Sequence, residues 1–472
     1  MLLRAALVLV ALAACGDNLQ PEPDAPGPSG LLAQLNALPG VTATQTPSDT
    51  AGFTYFVLYF TQPVDHDDPT GPTFRQEVSL LHKDTEAPMI VQTSGYWDYY
   101  RDSPVELTRL YGANQISIEH RFFAESRPSN PDWTKLTIRQ MAADQHAIIT
   151  ALKTIYPAAY ITTGGSKGGM TAIYHRRFYP DDVQGTVPYV APISFGAPDL
   201  RYAPFLDTLG PPACRQAVRD VALELLMNRR AMVETRAQAQ AVDPQDPHSY
   251  TRITLRPAVE SSIASLEWAF WQYYGVNFCN AVPPANDTDD KLWRFLDLIS
   301  PVTDNDDDQI AAFDAYYFQA EHQLGYPDAA VPYLEPHLMF GDADYAGALP
   351  TAKPTYDGGA AMRDIDDWLK TNGSRFVFVY GQWDPWTGGK FELGRATDSL
   401  MVTQASGTHG ARITRLTETD RDAALAKVTA WTGVTPDVPA PRTARAREHD
   451  ERMPRVPPAI VRALRPAVSS RP

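Results

Sequence analysis

The stretch "TTGGSKGGMTAIYHRRFYP", residues 162–180, constrains this chain more than any other. Gly164, Ser166 and Gly168 fit G-x-S-x-G, the pattern of a turn that swings a strand sharply into a helix and exposes a serine hydroxyl. Glycines around the serine suit a turn that a Cβ would obstruct. Upstream, "AAYITTGG" reads as a short buried strand. Downstream, Met170, Ile173, Tyr174 and Phe178 recur at helical spacing. The strand–turn–helix context is therefore present, but a plain structural βα connection has the same local pattern. The rest of the chain must decide.

A serine hydroxyl is a weak nucleophile until a positioned base takes its proton, and the base needs a group that orients it. On α/β-hydrolase scaffolds these partners follow in the order Ser, Asp/Glu, His. Two places downstream fit. "RFVFVYGQWDPWTGG" puts Asp384 directly after a strand-like run, and "SLMVTQASGTHGAR" puts His409 directly after the next one. The expected roles are Ser166 as nucleophile, Asp384 as orienter and His409 as base. His120, His146 and His175 fall within strand or helix patterns and read as structural. His322 precedes Asp384 and is out of order, and Asp342 and Asp344 read as turn residues. An oxyanion hole needs two donors. One is expected from the backbone N–H of Lys167, the other from the loop in "QTSGYWDYY", at Gly95 or Tyr96. No H-E-x-x-H and no Cys/His set of zinc-site spacing occurs, so neither a metal nor a cofactor is expected.

Strand-like runs alternate with helical patterns from about residue 53, which argues for an α/β sheet covered on both faces. Residues 48–199 and 351–433 read as two parts of one sheet domain. Between them, 200–350 carries apolar residues at three- and four-residue spacing and reads as a helical cap inserted over the site. The start, "MLLRAALVLVALAAC", has the short apolar core of a secretory signal over residues 1–14. The small residues before Cys15 suit lipidation of that cysteine, which would anchor an exported envelope protein without spanning the membrane. Residues 15–47 read as a Pro/Gly-rich linker, and 434–472 as a disordered Arg/Pro-rich tail. In an exported protein Cys214 and Cys279 form a candidate disulfide. A net charge of −15 excludes a nucleic-acid partner.

Three motifs together, "GGSKGGMTAIYHRRFYPDD", "EHRFFAESRP" and "YGQWDPWTGG", resemble the S37 family of secreted serine peptidases. The same motifs are distantly similar to the lysosomal Pro-X carboxypeptidase and dipeptidyl peptidase group. The resemblance implies an α/β-hydrolase fold with an inserted helical cap, and prolyl tri- or tetrapeptidyl aminopeptidase activity on peptides with a free N-terminus. It also implies the roles given above for Ser166, Asp384 and His409. A lipid anchor departs from the released members of the family. A proline pocket needs flat apolar walls, for which Trp383, Trp386 and Trp97 are candidates. A substrate ammonium wants a carboxylate, for which Glu267 and Glu321 are candidates. The rival readings are a Pro-X carboxypeptidase or esterase on the same scaffold, and a non-catalytic envelope lipoprotein.

Overall fold

Along residues 376–380, Phe376, Phe378 and Tyr380 pack into one apolar cluster, while Val377 and Val379 pack into another. A strand that buries both of its faces must lie inside a sheet covered on both sides. The computed structural model describes residues 28–328, 331–350 and 352–438, so the signal-like segment, Cys15 and residues 439–472 lie outside the described residues. The described residues form a nine-stranded sheet of β1 (Val41–Thr46), β2 (Thr54–Pro63), β3 (Thr73–His82), β4 (Met89–Thr93), β5 (Asn114–Ile118), β6 (Tyr160–Gly165), β7 (Gly185–Tyr189), β8 (Val377–Gly381) and β9 (Leu400–Gln404). Their spatial order is β1-β2-β3-β5-β4-β6-β7-β8-β9. The pairings from β1 to β3 and from β3 to β5 are antiparallel, and those from β5 across to β9 are parallel.

Helices pack on both faces of the sheet, among them α1 (Pro28–Asn36), α2 (Ile138–Leu152), α3 (Lys167–Phe178), α4 (Ala360–Asn372) and α5 (Glu418–Thr432). α1 to α4 share the clusters of one face, and α5 covers the other through Ala424, Leu425 and Val428. α1 and β1 correct the linker expected at 15–47. Leu31 and Leu35, one helical turn apart, are buried on β2, and Val41 and Ala43 alternate inward from the sheet edge.

Between β7 and α4 the chain builds a helical insertion with its own core. The helices Pro212–Met227, Arg230–Ala241, Leu255–Ala264 and Asp289–Ile299 enclose Val218, Leu225, Val259, Ile263 and Phe295. A disulfide joins Cys214 to Cys279, tying the first of these helices to the turn Gly275–Ala281. Asp306 caps the helix Asp307–Ala312 by accepting the N–H of Gln309 at 2.8 Å. Two helical stretches of the insertion end alike, in π-type turns at Phe270–Tyr274 and Ala320–Leu324, each closed by a glycine with positive φ (Gly275 and Gly325). Both turns touch the sheet domain. The carbonyl of Gln272 accepts the N–H of His409 at 2.9 Å, and Gln323 Oε1 accepts the N–H of Ile138 at 3.0 Å. The whole is an α/β-hydrolase fold with a helical insertion.

Candidate active site

β6 ends at Gly165 and α3 begins at Lys167, so Ser166 is the hinge between them. Ser166 itself takes a positive φ, with φ 54° and ψ −126°. The flanking glycines serve a different purpose. A Cβ on Gly168 would lie 2.1 Å from the Thr93 carbonyl oxygen, and one on Gly164 would lie 2.4 Å from the Gly168 carbonyl carbon. The glycines let the end of β4 touch the start of α3, while the serine bears strain of roughly 1–3 kcal/mol. The turn is held by the Ser166 N–H, which donates to the Tyr189 carbonyl at 2.9 Å. The side chain makes no cap bond with its own helix.

β8 and β9 are parallel neighbours, with Gly381 opposite Gln404. Asp384 and His409 therefore leave the sheet at the same edge as Ser166, with β7 lying between β6 and β8. Asp384 is fully buried. Its Oδ1 accepts the Trp386 N–H at 3.2 Å, and its Oδ2 lies 2.7 Å from His409 Nδ1. A carboxylate there makes Nδ1 the protonated nitrogen and leaves the Nε2 lone pair free. The His409 ring lies edge-on to Tyr273 and near Trp386, each at a centroid distance of 6.4 Å.

Lys167 stands in the first turn of α3, where its N–H has no partner within the helix. Its buried Nζ donates to the Gly95 carbonyl and lies 4.9 Å from the centre of the Tyr96 ring. Burial holds this amine well below the usual lysine range. Gly95, with φ +77°, is pressed so closely on α3 that a Cβ would lie 2.8 Å from the Lys167 carbonyl carbon. The Tyr96 N–H, expected to serve as the second oxyanion donor, instead donates to Ser94 Oγ at 3.1 Å. The backbone of Tyr96 is already spoken for.

Residues 26–456 match the family model described as PS-10 peptidase S37. The chain belongs to the peptidase S37 family. It is 39% identical over 391 residues to a prolyl tri/tetrapeptidyl aminopeptidase of Streptomyces mobaraensis, covering 82% of this chain and 81% of that one. It is 31% identical over 179 residues to the lysosomal Pro-X carboxypeptidase of Mus musculus, covering 33% of this chain and 36% of the relative. Among solved structures it is similar to a proline iminopeptidase of Mycobacterium smegmatis, at 13% identity and a TM-score of 0.32, covering 78% of this chain and 96% of that one. As a member of the S37 family the protein is a serine peptidase, and its substrates are peptides.

The substrate-side candidates of this S37 peptidase separate sharply. Trp386 is half-buried, sits beside His409 and packs edge-to-face with Trp268 at 5.3 Å and Tyr202 at 5.9 Å. Trp383, also half-buried, packs on Trp271 and the core of the insertion. Trp97 is 1% exposed within an aromatic cluster, so it offers no face to a substrate. Glu267 is also 1% exposed, and both of its oxygens accept from Arg219 Nε, at 2.9 and 3.0 Å. Burial raises this carboxyl, and Arg219 opposes the rise. Its pairing is structural, which corrects the expectation of a substrate contact. Glu321 is half-buried in the second π-type turn, and after burial its carboxylate is what raises the nearby Tyr326 phenol most.

Glu125 is exposed, while Arg121 pairs with Asp144 at 2.6 Å, both side chains being fully buried. His146 and His175 share one oxygen of Asp182. Gln272, Tyr273 and Tyr202 touch the site without having been singled out in the sequence. A π-type turn leaves no periodicity that would mark the first two, and only the contact with Trp386 gives Tyr202 away.

Proposed function

We propose that this peptidase is an exopeptidase that removes tri- and tetrapeptides ending in proline from free N-termini through an acyl-enzyme. The observation that carries the reading is the 2.7 Å contact between Asp384 and His409, on the sheet edge where Ser166 leaves β6. Ser166 Oγ attacks the acyl carbonyl as His409 Nε2 takes its proton. The carbonyl electron pair moves onto oxygen, then returns and expels the amine, which leaves with that proton. Asp384 keeps the imidazole in the competent tautomer and balances the imidazolium. Water repeats the sequence on the acyl-enzyme.

The similarity to the Streptomyces mobaraensis enzyme over most of both chains supports the prolyl substrate class. The Trp386 face beside His409 suits a flat pyrrolidine ring. With Glu267 committed to Arg219, Glu321 is the remaining candidate partner for the substrate ammonium. The reading extends to export, with Cys15 as the lipidated first residue of the mature protein.

The test is fluorophosphonate labelling of wild type and Ser166→Ala, combined with hydrolysis of Ala-Ala-Pro-anilide, its N-acetyl form and a C-terminal Pro-X peptide. Labelling confined to Ser166 and preference for the free N-terminus are expected. Equal cleavage of free and acetylated substrates refutes the aminopeptidase assignment. Cleavage of the Pro-X peptide alone makes the protein a carboxypeptidase.

A further inference from the structure

An oxyanion needs donors fixed in place before charge develops. Here two backbone donors of the loop after β4 are committed elsewhere. The Tyr96 N–H bonds to Ser94 Oγ, and the Asp98 N–H bonds to Glu119 Oε2 at 3.0 Å. We infer that the phenolic hydroxyl of Tyr96 is the second oxyanion donor, acting with the backbone N–H of Lys167. This inference rests on the serine-peptidase reading of Ser166 and adds a catalytic residue to it.

The Tyr96 side chain is only 6% exposed, yet among the described residues its hydroxyl has no hydrogen-bonding partner. Nor is that oxygen sealed in, whereas the neighbouring indole Nε1 of Trp97 is a buried atom without a partner. A phenol inside an aromatic cluster whose hydroxyl bonds to nothing keeps a donor to give.

The ring has little freedom to move. Phe123, Phe313 and Tyr316 meet it edge-on at 5.6, 5.4 and 5.7 Å, and Lys167 Nζ lies 4.9 Å from its centre. The same lysine holds the Gly95 carbonyl, so the residue beside the nucleophile fixes the loop that carries the phenol. The location also fits. Gly95 is pressed on the start of α3, and the Tyr273 phenol is close enough to Tyr96 to oppose its ionisation. Tyr273 in turn faces the His409 ring. Tyr96 thus follows directly the residue pressed on the nucleophile turn, and Tyr273 links its surroundings to those of the base.

Burial, followed by the neighbouring Tyr316, Tyr273 and Tyr317 hydroxyls, keeps the phenol well above its ordinary range. It stays neutral and able to donate. It transfers no proton; it supplies a hydrogen bond that strengthens as the acyl oxygen becomes an alkoxide.

Tyr96→Phe removes only the hydroxyl and leaves the backbone N–H in place. kcat should fall roughly 10²–10³-fold with little change in KM, the range for losing one oxyanion donor. Because the hydroxyl bonds to nothing in the free enzyme, Tm should not move. The affinity for a peptidyl-proline boronate, which forms a tetrahedral adduct on serine, should fall by a similar factor. The affinity for the product Ala-Ala-Pro should hold. A kcat within about threefold of wild type overturns the inference, being far below that range. An equal loss of Ala-Ala-Pro affinity with a lowered Tm does so too, by showing a structural role. If Tyr96→Phe is fully active while Ser166 is still labelled by a fluorophosphonate, only the phenol is wrong. If wild-type Ser166 is not labelled, the serine reading fails and this inference with it.

Discussion

Glu267→Gln separates a structural carboxylate from a substrate-binding one. The substitution keeps the size and removes the charge. Glu267 is 1% exposed and faces Arg219, whose side chain is 20% exposed and which also bonds Asp207 at 2.5 Å. Breaking a fully buried pair by removing one partner costs about 3–5 kcal/mol. Arg219 keeps its solvent access and Asp207, which halves the figure to about 2 kcal/mol. At ~1 °C per kcal/mol for a chain of this length, this lowers Tm by roughly 2–3 °C, read by thermal unfolding. The kcat/KM ratio between free and N-acetylated Ala-Ala-Pro-anilide should stay at the wild-type value. The pair Arg219→Met with Glu267→Leu should recover most of the stability, because an apolar replacement leaves no buried charge. A collapse of the free-to-acetylated ratio at unchanged Tm would refute the reasoning and return Glu267 to the substrate.

Ser166→Ala, His409→Ala and Asp384→Asn should each abolish or cut turnover by several orders of magnitude at unchanged far-UV circular dichroism; near-normal activity removes that residue from the triad. Replacing Cys214 and Cys279 by serine opens a loop of sequence separation 65 and should destabilise the insertion by about 4 kcal/mol, seen as a lowered urea midpoint. Glu119, pushed up to about 8 by burial and by Glu77, keeps its proton where the unfolded chain has lost it. Stability should therefore fall as pH rises from roughly 4.3 to about 8 and level off above, with a shallower fall in Glu119→Gln. Detergent partitioning of the wild type against Cys15→Ser checks the anchor; a mature protein that stays aqueous and begins elsewhere rules it out.

The triad candidates were legible because Asp384 and His409 each follow a strand-like run directly, and strand ends are where sheet topology gathers side chains. The partners of the other candidates were not. Glu267 meets Arg219 from 48 residues away, and no local pattern reveals that pairing. Trp97 and Trp386 look alike in the sequence, yet one is sealed behind Phe313 and the other stands beside the imidazole. The Tyr96 N–H was lost to a serine two residues earlier, a short-range turn bond that competes with any role for the backbone. α1 and β1 were hidden because a few apolar residues sit in a stretch whose composition is otherwise that of a linker.

The bond between the Gln272 carbonyl and the His409 N–H ties the candidate base to both parts of the chain. Asp384, on the sheet domain, governs the ring, while the helical insertion governs the backbone. Raising the π-type turn by about 1 Å stretches a 2.9 Å contact beyond hydrogen-bonding range. A displacement of the insertion on that scale would free only the backbone of His409 and leave its ring on Asp384.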